Sequence, residues 1–281
     1  DGLFHDKNII NDVYYDQDWW GCRHLALHVI NTYECLDAKP KHQFKFLEKY
    51  YSQSSLENWL NQYNWNDYDS IMIGDLDNKI MNIGCLLQYQ RDHFDNNESK
   101  NSLEMLKILL KNKINLKTGV WGEFDPNNKE QISRCIQFAY HLLTIFFYDD
   151  EFDFDTEKII NLTLSTQNKL GGFGVKLNSS ACEDIDSIYL LVKLYPFGSS
   201  YQKFLIDKSL VKALKWISIN QEKDGGFVFR VNEPFYFGHP ETSSSANQSS
   251  TFATWFRTLS LAYIYNHFSN NQLKITKCPG Y

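Results

Sequence analysis

The sequence lacks the features that mark a membrane protein, a nucleic-acid binder or a chain of several domains. No segment approaches the ~20 consecutive apolar residues of a membrane-spanning helix. Acidic and basic residues are interleaved, the net charge is −6 and no basic stripe is present, which argues against a nucleic-acid partner. No long Gly/Ser-rich, Pro-rich or like-charged stretch divides the chain, so a single domain over residues 1–281 is predicted.

Paired cysteines are also missing. The six cysteines are spread singly, and no Cys-x-x-Cys pair occurs. Cys22, Cys85, Cys135 and Cys182 lie in apolar helical patterns or at their starts, which is typical of free, buried thiols in a reducing compartment. The first eight residues, DGLFHDKN, do not form a secretory signal. A cytoplasmic location is therefore expected.

Aromatic and apolar side chains, by contrast, are abundant. Aromatic residues make up 16% of the chain and hydrophobic residues 43%, enough for a large core. Large aromatic side chains bury much area each, and they also line pockets for apolar or sugar ligands. No phosphate-binding Gly-rich loop, nucleophile elbow or metalloprotease helix is present, so the informative features are the repeats and the charged clusters.

A repeated motif is the strongest internal signal. The segment QNKLGGF at 167–173 recurs as QEKDGGF at 221–227, a spacing of 54 residues, and a weaker relative, KTGVWG, occupies 117–122. A fixed period near 50 residues is typical of stacked supersecondary units. In each unit a leading helix runs into the glycine turn, and a second, more apolar helix closes the unit. Leading helices are predicted near 41–63, 99–114, 155–168 and 203–220, and closing helices near 19–36, 76–94, 130–148, 182–195 and 249–267.

The apolar character of the closing helices predicts two layers. The segment 132–147 is apolar on nearly all sides, as expected of a helix that is buried all round. We therefore predict an all-α fold in which the closing helices form an inner barrel and the leading helices an outer ring. This arrangement is an α/α toroid of about five to six helical hairpins.

The Gln-x-x-x-Gly-Gly-Phe pattern resembles the repeats of squalene cyclases, and Gly-Gly-Phe turns also recur in the β subunits of protein prenyltransferases. The clear resemblance covers about residues 117–267 and implies the α/α-toroid fold of terpenoid cyclases and protein prenyltransferases. In such toroids the N-termini of the inner helices gather at one mouth of the barrel, where helix dipoles favour anionic groups. The resemblance places a substrate-binding set of residues at that mouth: Arg23, His24, Asp75, Asp77, Arg134, Trp255 and Arg257.

The acidic segment CEDIDS at 182–187 carries the catalytic prediction. It is similar to the Asp-x-Asp-Asp-Thr motif of class II terpenoid cyclases, whose middle aspartate protonates an alkene or epoxide. Ser187 and Ile188 stand where that motif has its last Asp and its Thr. The resemblance implies that Asp186 is the proton donor and Asp184 its partner. The alternative is that both are first-turn residues that offset the helix dipole.

A prenyltransferase-type zinc site is not expected. The matching segment has Asp184-Ile-Asp186 where those enzymes have Asp-x-Cys, and Thr251 stands where their histidine ligand should be. Zinc prefers thiolate and imidazole ligands, so no metal site is assigned. Mg²⁺ remains an option for the Asp-x-Asp pairs, since it takes carboxylate oxygens and would suit a diphosphate substrate.

Three functions stay open at this point. The first is protonation-initiated cyclisation of a small hydrophobic or anionic isoprenoid substrate, which would call for a second domain or a partner chain to close the cavity. The second is a carbohydrate-active α/α-barrel enzyme, with Asp75 or Asp77 paired with Asp184 or Asp186 as its two carboxylates. The third is a non-catalytic module that binds a peptide, lipid or partner in the mouth.

Overall fold

The computed structural model describes residues 2–4, 22–237 and 239–280, without the side chains of 22–25, 237 and 239–242. This part of the chain is all-helical apart from one short β-hairpin. The five closing helices begin and end close to their predicted bounds. They are α1 (Cys22–Cys35), α4 (Leu76–Phe94), α6 (Lys129–Tyr148), α8 (Ala181–Leu194) and α10 (Thr251–Phe268).

The leading helices are shorter than predicted, except for the last. They are α2 (Gln53–Leu60), α5 (Asn97–Lys111), α7 (Thr156–Ser165) and α9 (Ser200–Ile219), and a short helix, α3 (Tyr68–Met72), precedes α4. Strands β1 (Phe235–Phe237) and β2 (His239–Ser244) form an antiparallel pair between α9 and α10. No described helix combines the length and apolarity needed to cross a bilayer.

Side-chain caps fix where the helices start. Asn96, Asn128, Ser180, Ser199 and Ser250 each accept a hydrogen bond from a backbone N–H in the first turn of the following helix. Ser180 and Ser199 belong to full capping boxes, in which the side chains of Glu183 and Gln202 accept a hydrogen bond from the backbone N–H of the cap residue. Such caps satisfy donors that have no partner inside the helix.

The closing helices contact one another in chain order. Contacts run from α1 to α4, from α4 to α6, from α6 to α8 and from α8 to α10. The rings of His28 in α1 and Trp255 in α10 also meet, with centroids 5.4 Å apart. The first and last closing helices therefore touch, which is the contact order expected of a ring. The all-α fold is thus confirmed, and the toroid remains our interpretation of these contacts.

The glycine turn of the repeat is closed by a similar bridge three times, with one extra residue in the first copy. Isolated antiparallel bridges join Ile114 to Trp121, Gln167 to Phe173 and Gln221 to Phe227. The weak motif upstream is therefore a true third copy of the turn. Gly172 has to be glycine because a Cβ there would overlap Ser179 Oγ and lie 2.5 Å from Trp216 Nε1.

Candidate active site

Asp184 lies in the first turn of α8 and points back to the glycine turn. Its carboxylate is 1% exposed. Oδ1 accepts hydrogen bonds from the backbone N–H of Phe173 (2.7 Å) and from Ser179 Oγ (2.8 Å). Oδ2 accepts one from Trp216 Nε1 (2.9 Å) and one from the guanidinium of Arg257. Both oxygens are therefore fully engaged by the surrounding fold.

Arg257 completes this network from α10. It is fully buried and pairs with Asp184 across the contact between α8 and α10. Its NH2 group also donates to the carbonyl oxygens of Ser179 (3.1 Å) and Phe229 (3.2 Å) and to Asn220 Oδ1 (3.2 Å). These contacts join two successive repeats. The guanidinium of Arg257 therefore points into the protein interior and is not available to a substrate.

Asp186, two residues further along α8, has a very different environment. It is 3% exposed, and no described residue donates a hydrogen bond to its carboxyl group. Burial raises the pKa of Asp186 well above its ordinary value, and the negative charge of Asp77 raises it further, whereas Arg134 partly opposes the shift. A buried carboxyl group without donors favours its neutral form. The environment of Asp186 therefore favours the neutral carboxylic acid over the carboxylate.

Asp77, in the first turn of α4, is the opposite case. It is fully buried, but Arg134 binds both of its oxygens (2.7 and 2.8 Å), and His141 Nδ1 lies 2.8 Å from Oδ2. Burial alone would raise the pKa of Asp77, but the charge of Arg134 and the hydrogen bonds from Arg134 and His141 outweigh it and lower the pKa. Asp77 is therefore a carboxylate. The bidentate Arg pair is a strong and directional form of this interaction.

His141 is a site residue that the sequence prediction missed. It lies seven residues after Arg134 in α6, so both side chains leave the same face of the helix and reach Asp77 together. Since the Asp77 carboxylate can only accept, Nδ1 of His141 must carry the hydrogen. The imidazole is 16% exposed, and Nε2 has no hydrogen-bond partner among the described residues. The i, i+7 spacing of Arg134 and His141 was the one available signal.

The remaining predicted residues lie at the edges of this site or beyond its description. Asp75 is exposed just before α4, where partial burial and then the charge of Asp77 raise its pKa. Trp255 is half-buried and meets His28, whose pKa burial lowers to about 4. Arg23 and His24 belong to α1, and their side chains lie outside the described residues. The structure thus places Asp77 and Arg134 within electrostatic range of Asp186, and Asp75 beside Asp77 and Arg134. Asp184 pairs with Arg257 in its own hydrogen-bonded network, and its charge also raises the pKa of Asp186.

Aromatic rings continue from Asp186 along α8. Tyr189 follows on the same face one turn later and is 4% exposed. Its ring packs edge to face on Tyr140 of α6 and on Tyr263 of α10, in both cases with centroids 5.4 Å apart. Three closing helices therefore contribute tyrosine rings to one cluster, centred on Tyr189 one turn after the acid.

The described residues offer no cluster of three or more His, Cys, Asp and Glu side chains arranged to hold a metal ion. Asp77 already has partners on both oxygens. Of the donor types that Mg²⁺ prefers, the described residues therefore supply the Asp186 carboxyl group and the exposed Asp75 at this site.

Comparison with known proteins gave no assignment. No family model, curated protein or solved structure matches this chain.

Proposed function

We propose that this protein is a terpenoid-cyclase-like enzyme that starts the cyclisation of an isoprenoid substrate by proton transfer from Asp186. The observation that carries the proposal is the environment of Asp186, a buried carboxyl group that receives no hydrogen bond from the described residues and that lies within range of the negative charge of Asp77. Two nearby carboxyl groups whose pKa values are displaced in opposite directions are typical of acid–base sites. Here Asp186 is the acid and Asp77 stays ionised.

The proposed first step follows from the residues around the acid. The O–H bond of Asp186 breaks, a C–H bond forms at one carbon of a substrate double bond, and positive charge develops on the other carbon. Arg134 offsets the carboxylate that is left, since its charge already favours the ionised form of Asp186. The rings of Tyr140, Tyr189 and Tyr263 supply cation–π stabilisation to the carbocation.

His141 is proposed to take up the proton at the end of the reaction. Asp77 holds Nδ1 of the ring, which leaves Nε2 to accept a proton from the final carbocation. Arg134 keeps further N–H groups that can hold an anionic end of the substrate, such as a diphosphate. The proposal also includes a cytoplasmic location and a second domain or partner chain that closes the site.

The same geometry reduces the carbohydrate-active alternative to a single pair of carboxyl groups, Asp75 and Asp186. It requires a second carboxylate that is available as nucleophile or base. Asp77 is not available, because Arg134 and His141 occupy both of its oxygens. Asp184 is excluded from this role for the same reason, with four donors on its two oxygens.

The test is product formation from linear isoprenoids, with and without a terminal diphosphate, analysed by gas chromatography and mass spectrometry. Asp186→Asn should lower turnover at least ~100-fold, the usual contribution of a general acid, while circular dichroism stays unchanged. Asp153→Asn, a change at an exposed carboxylate without a described partner, serves as the matched control. Retained turnover in Asp186→Asn would overturn the proposal.

A second measurement checks the acid itself without a substrate. The side-chain carboxyl carbons of aspartate are labelled with ¹³C and titrated by NMR. The signal that is lost in Asp186→Asn should titrate at a clearly higher pH than the signals of the exposed aspartates. Asp77→Asn should lower the pKa of Asp186, because it removes a nearby negative charge, and Arg134→Gln should raise it. An Asp186 signal that titrates like a surface aspartate would remove the basis of the mechanism.

A further inference from the structure

The outer face of α9 differs from the rest of the described surface. Of the 17 large hydrophobic residues that are exposed in the described part of the chain, six fall within or beside this one helix. They are Phe197, Tyr201, Phe204, Val211, Leu214 and Ile219. Tyr201 is 69% exposed and Phe204 55%. Apolar side chains concentrated in this way mark an interaction surface.

The other leading helices show that this face is not a requirement of the repeat. Within α5 the only large apolar side chain that is exposed is Ile108, and none is exposed in α2 or α7. All four helices occupy the same place in their repeats and bury their other face. The extra apolar side chains of α9 therefore serve something outside this fold unit.

Lysines are interleaved with the apolar residues of α9. Tyr201, Phe204, Lys208, Val211 and Lys215 follow one another at spacings of three or four residues, so they lie on one side of the helix. Lys212 is exposed beside them. None of these lysines forms an ion pair with a described residue, and Lys208 Nζ lies 5.0 Å above the ring of Phe204.

The one acidic residue of α9 does not cancel this charge. Asp207 is bound by His267 Nε2 (2.7 Å) and by the hydroxyl group of Tyr195 (3.4 Å), both on the protein side of the helix. The exposed face is therefore mainly basic and apolar, although the side chain of Asp207 keeps 40% of its surface exposed and the whole chain carries a net charge of −6. It extends over a helix of 20 residues, which is about 30 Å long.

We infer that the outer face of α9 docks on an anionic lipid surface. Interfacial helices combine aromatic and aliphatic side chains on one face with lysines that contact anionic headgroups. The charge of this face complements such lipids, and its apolar side chains stand on a projecting helix instead of a groove shaped for one protein ligand. The inference goes beyond the proposed chemistry and uses none of the acid–base residues.

Co-sedimentation with vesicles tests the inference. The protein should bind vesicles of phosphatidylcholine that contain about 30% phosphatidylserine, and it should bind pure phosphatidylcholine much more weakly. Each lysine removed near such a surface should cost roughly fivefold in partition coefficient. The variant Lys208→Gln/Lys212→Gln/Lys215→Gln should therefore lose roughly 100-fold. The matched control changes three exposed lysines elsewhere to glutamine, at positions Lys100, Lys223 and Lys274.

A second pair of variants tests the apolar part. Tyr201→Ser/Phe204→Ser should weaken binding at every salt concentration, whereas Leu36→Ser/Leu116→Ser, also at exposed positions, should not. All variants should keep their thermal midpoint, since these side chains do not pack in the core. The inference is overturned if the protein does not co-sediment with anionic vesicles, or if the control variants lose as much binding as the α9 variants. It is also overturned if sedimentation equilibrium shows a dimer that Phe204→Ser dissociates, because a second copy then covers this face.

Discussion

The buried pair of Asp184 and Arg257 gives the most specific stability prediction. Arg257→Met should lower the free energy of unfolding by ~3–5 kcal/mol, the usual cost of breaking a fully buried ion pair by removing one partner. The reason is what remains behind. Burial raises the pKa of Asp184, and Arg257 and the hydrogen bonds partly oppose that shift. In the variant the carboxyl group of Asp184 stays 1% exposed without the one cation that pairs with it among the described residues, and the carbonyl oxygens of Ser179 and Phe229 lose a donor.

The expected shift in thermal midpoint follows from the size of the chain. An unfolding entropy of ~2.1 cal/mol/K per residue gives roughly 0.6 kcal/mol/K for 281 residues. A loss of ~3–5 kcal/mol should therefore lower the midpoint by about 5–8 °C. Urea unfolding monitored by circular dichroism gives the free energy directly. Arg230→Met is the matched control, because Arg230 pairs with Glu183 at 2.7 Å but its side chain is 19% exposed, so about 1 kcal/mol is expected.

A double-mutant cycle separates the pair from the individual side chains. Asp184→Asn alone should also cost ~3–5 kcal/mol, since it leaves the guanidinium buried without its counter-charge. The double variant should be more stable than the sum of the two losses implies, by ~1–3 kcal/mol, because neither charge is then left alone. Losses that simply add, or a loss below ~1 kcal/mol in Arg257→Met, would refute the assignment of this pair as the link between the last two repeats.

Two further predictions concern stability away from the site. Burial alone would raise the pKa of Asp149, but hydrogen bonds from Arg91, Lys107 and Gln88 outweigh it and lower the pKa. Asp149 therefore stabilises the fold above its unfolded pKa of ~3.9, and this stabilisation is lost as the pH falls toward the lower pKa of the folded state. In urea unfolding at pH 7 the wild type should have a larger free energy of unfolding than Asp149→Asn, and this difference should disappear in acid. Gly172→Ala should cost ~1–3 kcal/mol by steric overlap with Ser179 and Trp216, more than Gly225→Ala, where φ is +88° but a Cβ would meet nothing within 4 Å. Equal losses in the two glycine variants, measured by thermal unfolding, would contradict this account of the turn.

Much of the helical framework was predictable because its signals are local. Polar caps, glycine turns and apolar helical runs each depend on a few neighbouring residues. The five closing helices accordingly begin and end near their predicted bounds. The apolar segment VFRV at 228–231 suggests a short extended stretch, but the strands lie later in the chain, at Phe235–Phe237 and His239–Ser244. Pairing of those strands depends on contacts made across the loop, which local patterns do not contain.

The candidate site was only partly predictable, because it depends on what covers each face of a helix. Asp184 and Asp186 are two residues apart, so they point roughly 200° away from each other around α8. The sequence could not show that Trp216 and Arg257, from later repeats, bind Asp184. Nor could it show that the charge of Asp77, from an earlier repeat, acts on Asp186. The same limit hid His141, whose role depends on α4 being next to α6.

Comparison of equivalent positions in the repeats separates framework from chemistry. Four residues after the caps Ser180 and Ser250 stand Asp184 and Thr254, and each accepts the backbone N–H of the phenylalanine in its own glycine turn. That position is therefore used to build the fold, whatever charge it carries.

Six residues after the cap the repeats diverge. The residues there are Arg134 in α6, Asp186 in α8 and Phe256 in α10. A cation, an acid and a phenyl ring cannot all meet one structural requirement of the turn. Since Arg134 and Asp186 also act on each other electrostatically, the variable position is the one that holds the residues of the proposed reaction. The acid of the proposed enzyme is therefore the aspartate that the repeat does not need.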